Sequence, residues 1–116
     1  MAKLFLLKSD FTDSNADSKG LKYYCPHCAI VEGVLSYFPE LKEQIEIEYV
    51  DFARPRPKVV EALGEENQSC PVLVLEQGEA KVDTDYFSSY NDKLFVNSTK
   101  LILRFLAENY GVSYSH

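Results

Sequence analysis

The chain contains 116 residues, and 12 Lys and Arg against 18 Asp and Glu give a net charge of −6 at pH 7. This length suits one domain spanning residues 1–116 and excludes an enzyme with separate cofactor and substrate modules. The acidic balance disfavours nucleic acid and anionic membrane surfaces as partners.

The first half of the chain predicts the order strand, helix, strand, helix. Residues 3–8 form a compact apolar run typical of a buried strand, and the polar residues 9–22 indicate an exposed loop. Apolar positions three and four apart predict a helix over residues 26–38. Alternation of apolar and polar residues over residues 45–51 predicts a strand near a sheet edge. Residues 57–63 are predicted to form a short helix.

The second half begins with another apolar run, at residues 71–76, which predicts a third buried strand. A turn follows this run, so we expect a partner strand further along the chain. That partner falls near either residues 80–82 or residues 94–96, with residues 83–92 as an excursion between the two.

The last helix has the clearest signals of all the elements. Asn97 or Ser98 can cap its N-terminus, and Gly111 can end it. A parallel strand-helix-strand unit followed by a helix, a hairpin and a helix predicts an α/β fold. We expect a small central sheet with helices on both faces.

Three cysteines are an odd number and too few for a secreted disulfide framework, which indicates reactive thiols or metal ligands. Cys25 and Cys28 flank Pro26 and His27 where the polar loop meets the first helix. A thiolate at a helix N-terminus is stabilised by unpaired N–H groups and by the helix dipole, so we predict that Cys25 is the nucleophile. Cys28 lies one turn further along the same face and can resolve the mixed disulfide.

The two residues between the cysteines are expected to tune the pair. Pro26 stiffens the turn, and a protonated His27 would further favour the Cys25 thiolate. The alternative is structural, with Cys25 and Cys28 as two small residues on a core-facing stripe and His27 merely solvated.

Two short segments resemble those of a known superfamily. Residues 22–28, Lys-Tyr-Tyr-Cys-Pro-His-Cys, resemble the active-site segment of glutaredoxins within the thioredoxin-like superfamily. The Cys-Pro-His-Cys pair also resembles that of thiol oxidases of the DsbA type. Residues 69–75 resemble the Thr-Val-Pro segment that begins the third strand of glutaredoxins and of glutathione transferase N-terminal domains. The overall pattern is similar to a small uncharacterised bacterial family of thioredoxin-like proteins.

This resemblance implies a thioredoxin-like fold, with a central four-stranded mixed β-sheet flanked by helices on both faces. It also implies a cis peptide bond before Pro71, which would abut the active-site sulfurs. Backbone groups of Cys70 would pair with an extended peptide or with the cysteinyl part of glutathione. The Gly-Gly-acidic motif that receives the γ-glutamyl end of glutathione in glutaredoxins is missing, and residues 95–98, Phe-Val-Asn-Ser, stand near its position.

We therefore expect a thiol–disulfide oxidoreductase that acts on a protein disulfide or a glutathionylated thiol. Its chemistry needs no cofactor, and glutathione is a candidate co-substrate. No apolar run approaches the roughly 20 residues of a membrane span, and the first residues do not resemble a secretory signal, so we expect a cytoplasmic protein. The expected catalytic residues are Cys25 and Cys28. The residues expected to tune them are Pro26, His27, Cys70 and Pro71. The residues expected to bind substrate or glutathione are Lys22, Tyr24, Cys70, Pro71 and Ser98.

Three other interpretations remain open. With Cys70 beside them, Cys25 and Cys28 could ligate zinc or hold an iron–sulfur cluster, and His27 could complete a zinc set. The same sulfurs could be remnants in a non-catalytic interaction module. A glutathione-transferase-like domain could bind the tripeptide without redox turnover. Cys70 could also simply fill a small buried position.

The basic residues near these motifs carry weaker signals. Lys22 could attract a carboxylate, although a lysine in a polar loop is usually solvated. Arg54 and Arg56 alternate with Pro55 and Pro57, and we expect both arginines to be solvated. Bidentate binding of a carboxylate or phosphate group is the alternative for them.

Overall fold

The computed structural model describes residues 1–76, 78–79 and 83–116, and these form an α/β structure. The strands and helices in chain order are β1 Lys3–Leu7, α1 Pro26–Tyr37, α2 Leu41–Gln44, β2 Glu46–Val50, α3 Pro57–Leu63, β3 Val72–Glu76, β4 Ser88–Tyr90, β5 Lys93–Val96 and α4 Thr99–Tyr110. The predicted α/β class is confirmed. The candidate strand at 94–96 is confirmed within β5, whereas the candidate at 80–82 lies outside the described residues.

One mixed sheet has the strand order β2-β1-β3-β5-β4. β1 and β2 are parallel, and the other neighbours are antiparallel. The expectation of four strands is wrong, because β4 adds a fifth at the edge. Tyr90 pairs with Lys93 across a two-residue turn in which Asn91 has φ of 54°, a conformation that asparagine adopts more readily than most residues. The short polar segment Ser88–Tyr90 has no apolar alternation that would have predicted this strand.

The sheet is covered on both faces at its centre. Leu4, Phe5 and Leu6 point alternately to opposite faces of β1, and each is no more than 1% exposed. Residues 72–75 of β3 are buried in the same way. In β2 only Val50 is buried and the other four residues are exposed or partly buried, which agrees with its predicted position at an edge.

The polar loop of residues 9–22 is held against the domain rather than free in solvent. The backbones of Phe11 and Tyr23 exchange hydrogen bonds of 3.0 and 2.8 Å, and the Tyr23 hydroxyl donates to Asp17 at 2.5 Å. The Phe11 ring stacks on Phe52 with the ring centroids 4.3 Å apart. This loop therefore has a defined path between β1 and the cysteine motif.

The last helix begins and ends as its sequence signals indicate. Ser98 is the cap, and its hydroxyl accepts from the Leu101 N–H at 3.3 Å. Gly111 ends the helix in the left-handed conformation, with φ of 71°. α1 packs against α4, which places the first turns of both helices near the start of β3. None of the described helices is long and apolar enough to cross a membrane.

Candidate active site

Cys25 occupies the N-cap of α1, as the sequence predicts. Its backbone is extended, with φ of −81° and ψ of 117°, and Pro26 fills the first turn of the helix. The Cys28 N–H donates to Cys25 Sγ at 3.3 Å, so the sulfur satisfies one of the otherwise unpaired donors of the first turn. This arrangement directs the positive end of the helix at the sulfur.

Cys28 lies one turn inside α1 in a different environment. It is only 4% exposed, and the Leu7 N–H, at the end of β1, donates to Cys28 Sγ at 3.4 Å. Burial raises the pKa of Cys28 to about 12, and the hydrogen bond from Leu7 does not offset it. Cys28 is therefore a protonated thiol at neutral pH, and both cysteines of the motif are free.

Cys70 and Pro71 approach the motif from a distant part of the sequence. The Cys70–Pro71 peptide bond is cis, as the resemblance implied, and Cys70 is partly buried immediately before β3. Burial raises the pKa of the Cys70 thiol, although the neighbouring guanidinium of Arg56 opposes the shift. Cys70 therefore lies beside the Arg56 guanidinium, a contact that the sequence did not predict.

Arg56 is a residue of the site that sequence reasoning placed wrongly. We expected it to be solvated, but it is 5% exposed, whereas Arg54 is exposed. Its Nε and Nη2 donate to the Phe52 carbonyl at 3.0 and 2.7 Å, and its Nη1 donates to the Gln68 carbonyl at 2.7 Å. The Gln68 side chain accepts from the Arg56 backbone N–H at 2.7 Å. Phe52 lies four residues before Arg56 and Gln68 twelve residues after it, but bonds to backbone carbonyl groups leave no pattern in the sequence that could have revealed them.

Two cavities flank the cysteine motif. The larger, of about 800 Å³, is lined by His27, Cys70, Pro71 and Ser98 together with residues of α4. The smaller, of about 540 Å³, is lined by Tyr24, Cys25 and Cys28 together with residues that follow β1. The expected site residues are therefore divided between two cavities, which lie on either side of the N-terminus of α1.

Lys22 is the one expected ligand residue that lines neither of these two cavities. Its side chain is exposed in the loop before the motif. Tyr24, in contrast, is 63% exposed at the mouth of the smaller cavity, where an aromatic ring is available to a substrate. The geometry thus favours Tyr24 over Lys22 as a contact residue.

The metal alternative receives no support from the arrangement of side chains. Within residues 1–76, 78–79 and 83–116, no group of three His, Cys, Asp or Glu side chains is placed to hold a metal ion. Cys25, Cys28 and Cys70 do not form such a set, with or without His27.

Comparison with known proteins gives one match. The family model described as "Protein of unknown function (DUF3088)" matches residues 1–114. No curated protein and no solved structure matched the chain.

Proposed function

This chain belongs to the DUF3088 family, and we propose that it is a thiol–disulfide oxidoreductase of thioredoxin-like fold. One observation carries the proposal. Cys25 Sγ caps α1 and accepts the Cys28 N–H, while Cys28 lies one turn deeper on the same helix. A partly exposed sulfur at a helix start, followed by a buried thiol within reach, is the arrangement that disulfide exchange requires.

The topology supports the thioredoxin-like part of the proposal. β1 and β2 are parallel and are connected through α1 and α2, whereas β3 and β5 are antiparallel and precede α4. The cis peptide bond at Pro71 directly precedes β3. β4 extends this arrangement at one edge without interrupting the order of the other four strands.

The proposed reaction has two displacement steps. The Cys25 thiolate attacks one sulfur of a substrate disulfide, forms a mixed disulfide, and releases the other substrate sulfur as a thiolate that takes a proton from water. Cys28 then attacks Cys25 Sγ, which releases the remaining substrate sulfur and forms the Cys25–Cys28 disulfide. The substrate gains two electrons and the protein loses two, and glutathione or a partner reductase returns them.

The residues around the pair supply substrate binding in this proposal. The backbone of Cys70 and the ring of Pro71 border the larger cavity, and Tyr24 borders the smaller one. The substrate is a protein disulfide or a glutathionylated thiol, whose extended backbone lies along the segment before β3. Ser98 lines the larger cavity while its hydroxyl caps α4, so a substrate in this cavity would also meet Thr99 and Lys100 in the first turn of that helix.

Two substitutions test the proposal by separating the roles of the cysteines. Cys28→Ser should accumulate a stable mixed disulfide with a glutathionylated peptide, detectable by mass spectrometry as an adduct on Cys25. Cys25→Ser should form no adduct and show no exchange, although Cys28 and Cys70 remain. Equal exchange activity in the two variants would contradict the proposal.

A further inference from the structure

The smaller cavity contains a carboxylate that the proposed reaction leaves without a role. Glu32 lies on α1 four residues after Cys28, so the two side chains occupy the same face of the helix one turn apart. Both side chains line this cavity, together with Cys25 and Tyr49. The cavity therefore joins both sulfurs of the motif to one glutamate.

The two oxygens of Glu32 have different surroundings. Oε1 accepts from the Tyr49 hydroxyl at 2.5 Å. Oε2 is buried and accepts no hydrogen bond from any residue that the structure describes. A buried polar atom without a partner carries a desolvation cost, which is larger when the atom is charged, so such atoms usually have a use.

The resolving step needs a group of this kind. Burial raises the pKa of Cys28 to about 12, so this thiol must lose its proton before or while it attacks. General bases act when they are placed within direct or one-water reach of the proton that they accept. A cavity lined by both side chains provides that path.

The other charged groups facing this cavity are less suited to the role. Lys8 and Asp10 follow β1, and both are exposed. Lys8 is paired with Asp51 at 2.9 Å and, as a cation, accepts no proton. The Tyr49 hydroxyl is a donor, since burial and the hydrogen bond to Glu32 raise the pKa of Tyr49 to about 12.

We propose that Glu32 accepts the proton of Cys28, directly or through one water, as Cys28 attacks the mixed disulfide on Cys25. This inference rests on the proposed function. The proton passes from Cys28 Sγ to Glu32 Oε2 while the Cys28 sulfur forms its bond to Cys25 Sγ. The bond from Cys25 Sγ to the substrate sulfur breaks, and the substrate leaves as a thiolate that takes a proton from Glu32 or from water.

The test is the rate of the resolving step against pH, measured with an aromatic disulfide that releases a coloured thiolate. In a Cys70→Ser background, attack by Cys25 releases one coloured thiolate and attack by Cys28 releases the second. Glu32→Gln preserves shape and should slow the second release by about 100-fold or more near neutral pH. In Glu32→Gln the rate of the second release should rise tenfold per pH unit, because Cys28 must ionise without a base. With Glu32 present, the same rate should depend less steeply on pH.

Two further variants make the result specific. Glu61→Gln makes the same change on the exposed face of α3 and should leave both releases unaltered. Tyr49→Phe removes the hydrogen bond to Oε1 but keeps the carboxylate, so it should retain the shallow slope. Glu32→Gln with the wild-type rate and slope would overturn the role of Glu32 while the proposed function stands. Failure of Cys25 to form the first adduct would instead contradict the proposed function, and the role of Glu32 with it.

Discussion

Cys25 and Cys28 carry the same functional group, and their surroundings give the two thiols different properties. Cys25 is partly exposed at the cap of α1, where a backbone N–H reaches its sulfur. Cys28 is enclosed by the core, and the Leu7 N–H donates to its sulfur. Burial therefore controls the protonation of Cys28, and its high pKa makes the stability of the protein depend on pH.

We predict that the free energy of unfolding falls as pH rises from about 9 to about 12. The pKa of Cys28 is about 12 in the folded chain against 9.0 ordinarily, so over this range the unfolded state releases the proton first. The unfolded state then binds fewer protons, and stability decreases with pH. Tyr49 and Tyr86, whose pKa values burial raises from 10.0 to about 12, act in the same direction.

Denaturant unfolding of the wild type and Cys28→Ser at a series of alkaline pH values checks this prediction. Cys28→Ser should lose less stability per pH unit, because one of the titrating groups is gone. Parallel losses in the two proteins would show that the Cys28 thiol does not contribute.

The sequence predicted the placement of individual residues only where local signals exist. A proline in the first turn and apolar spacing were enough to predict that Cys25 begins α1 and that Cys28 faces inward. No local signal predicts that Arg56 is buried, because its side chain is held by hydrogen bonds to the backbone carbonyl groups of Phe52 and Gln68. Nor could Glu32 be singled out, since its partner Tyr49 lies on another element.

Among the secondary-structure elements, β4 packs closely against the C-terminal end of α3. Gly64 follows α3 with φ of +83°, and a Cβ there would lie 2.9 Å from ring carbons of Tyr90, the last residue of β4. Both the backbone conformation and the close ring therefore require glycine. Tyr90 therefore lies beside Gly64, so β4, which the sequence did not predict, packs next to the end of α3.

We predict that Gly64→Ala lowers the free energy of unfolding by about 1–2 kcal/mol, because the alanine would have to keep a positive φ and would displace Tyr90. Gly33→Ala is the matched control. Gly33 lies inside α1 with open space around its Cα, so alanine should raise stability by up to about 1 kcal/mol. Thermal unfolding of both variants measures the difference, and equal midpoints would contradict the role given to Gly64.

At the scale of the whole molecule, the fold brings three sequence-distant segments to one place. The end of β1 supplies Leu7, the start of α1 supplies the cysteine pair, and the segment before β3 supplies Cys70 and Pro71. The sequence could predict this convergence in outline, because apolar runs and helix signals fix the order of strands and helices. It could not predict how residues 9–22 pack, since Phe11 stacks on Phe52 through a contact between distant segments.

Disulfide exchange through Cys25 and Cys28 is tested most directly by the redox equilibrium of the purified, metal-free protein in buffers of reduced and oxidised glutathione. We expect reversible two-electron formation of a Cys25–Cys28 disulfide, with a midpoint between roughly −270 and −120 mV, the range of known dithiol oxidoreductases. Cys28→Ser should show no such intramolecular couple. Absence of a reversible Cys25–Cys28 disulfide in the wild type across the whole buffer range would contradict the proposed function.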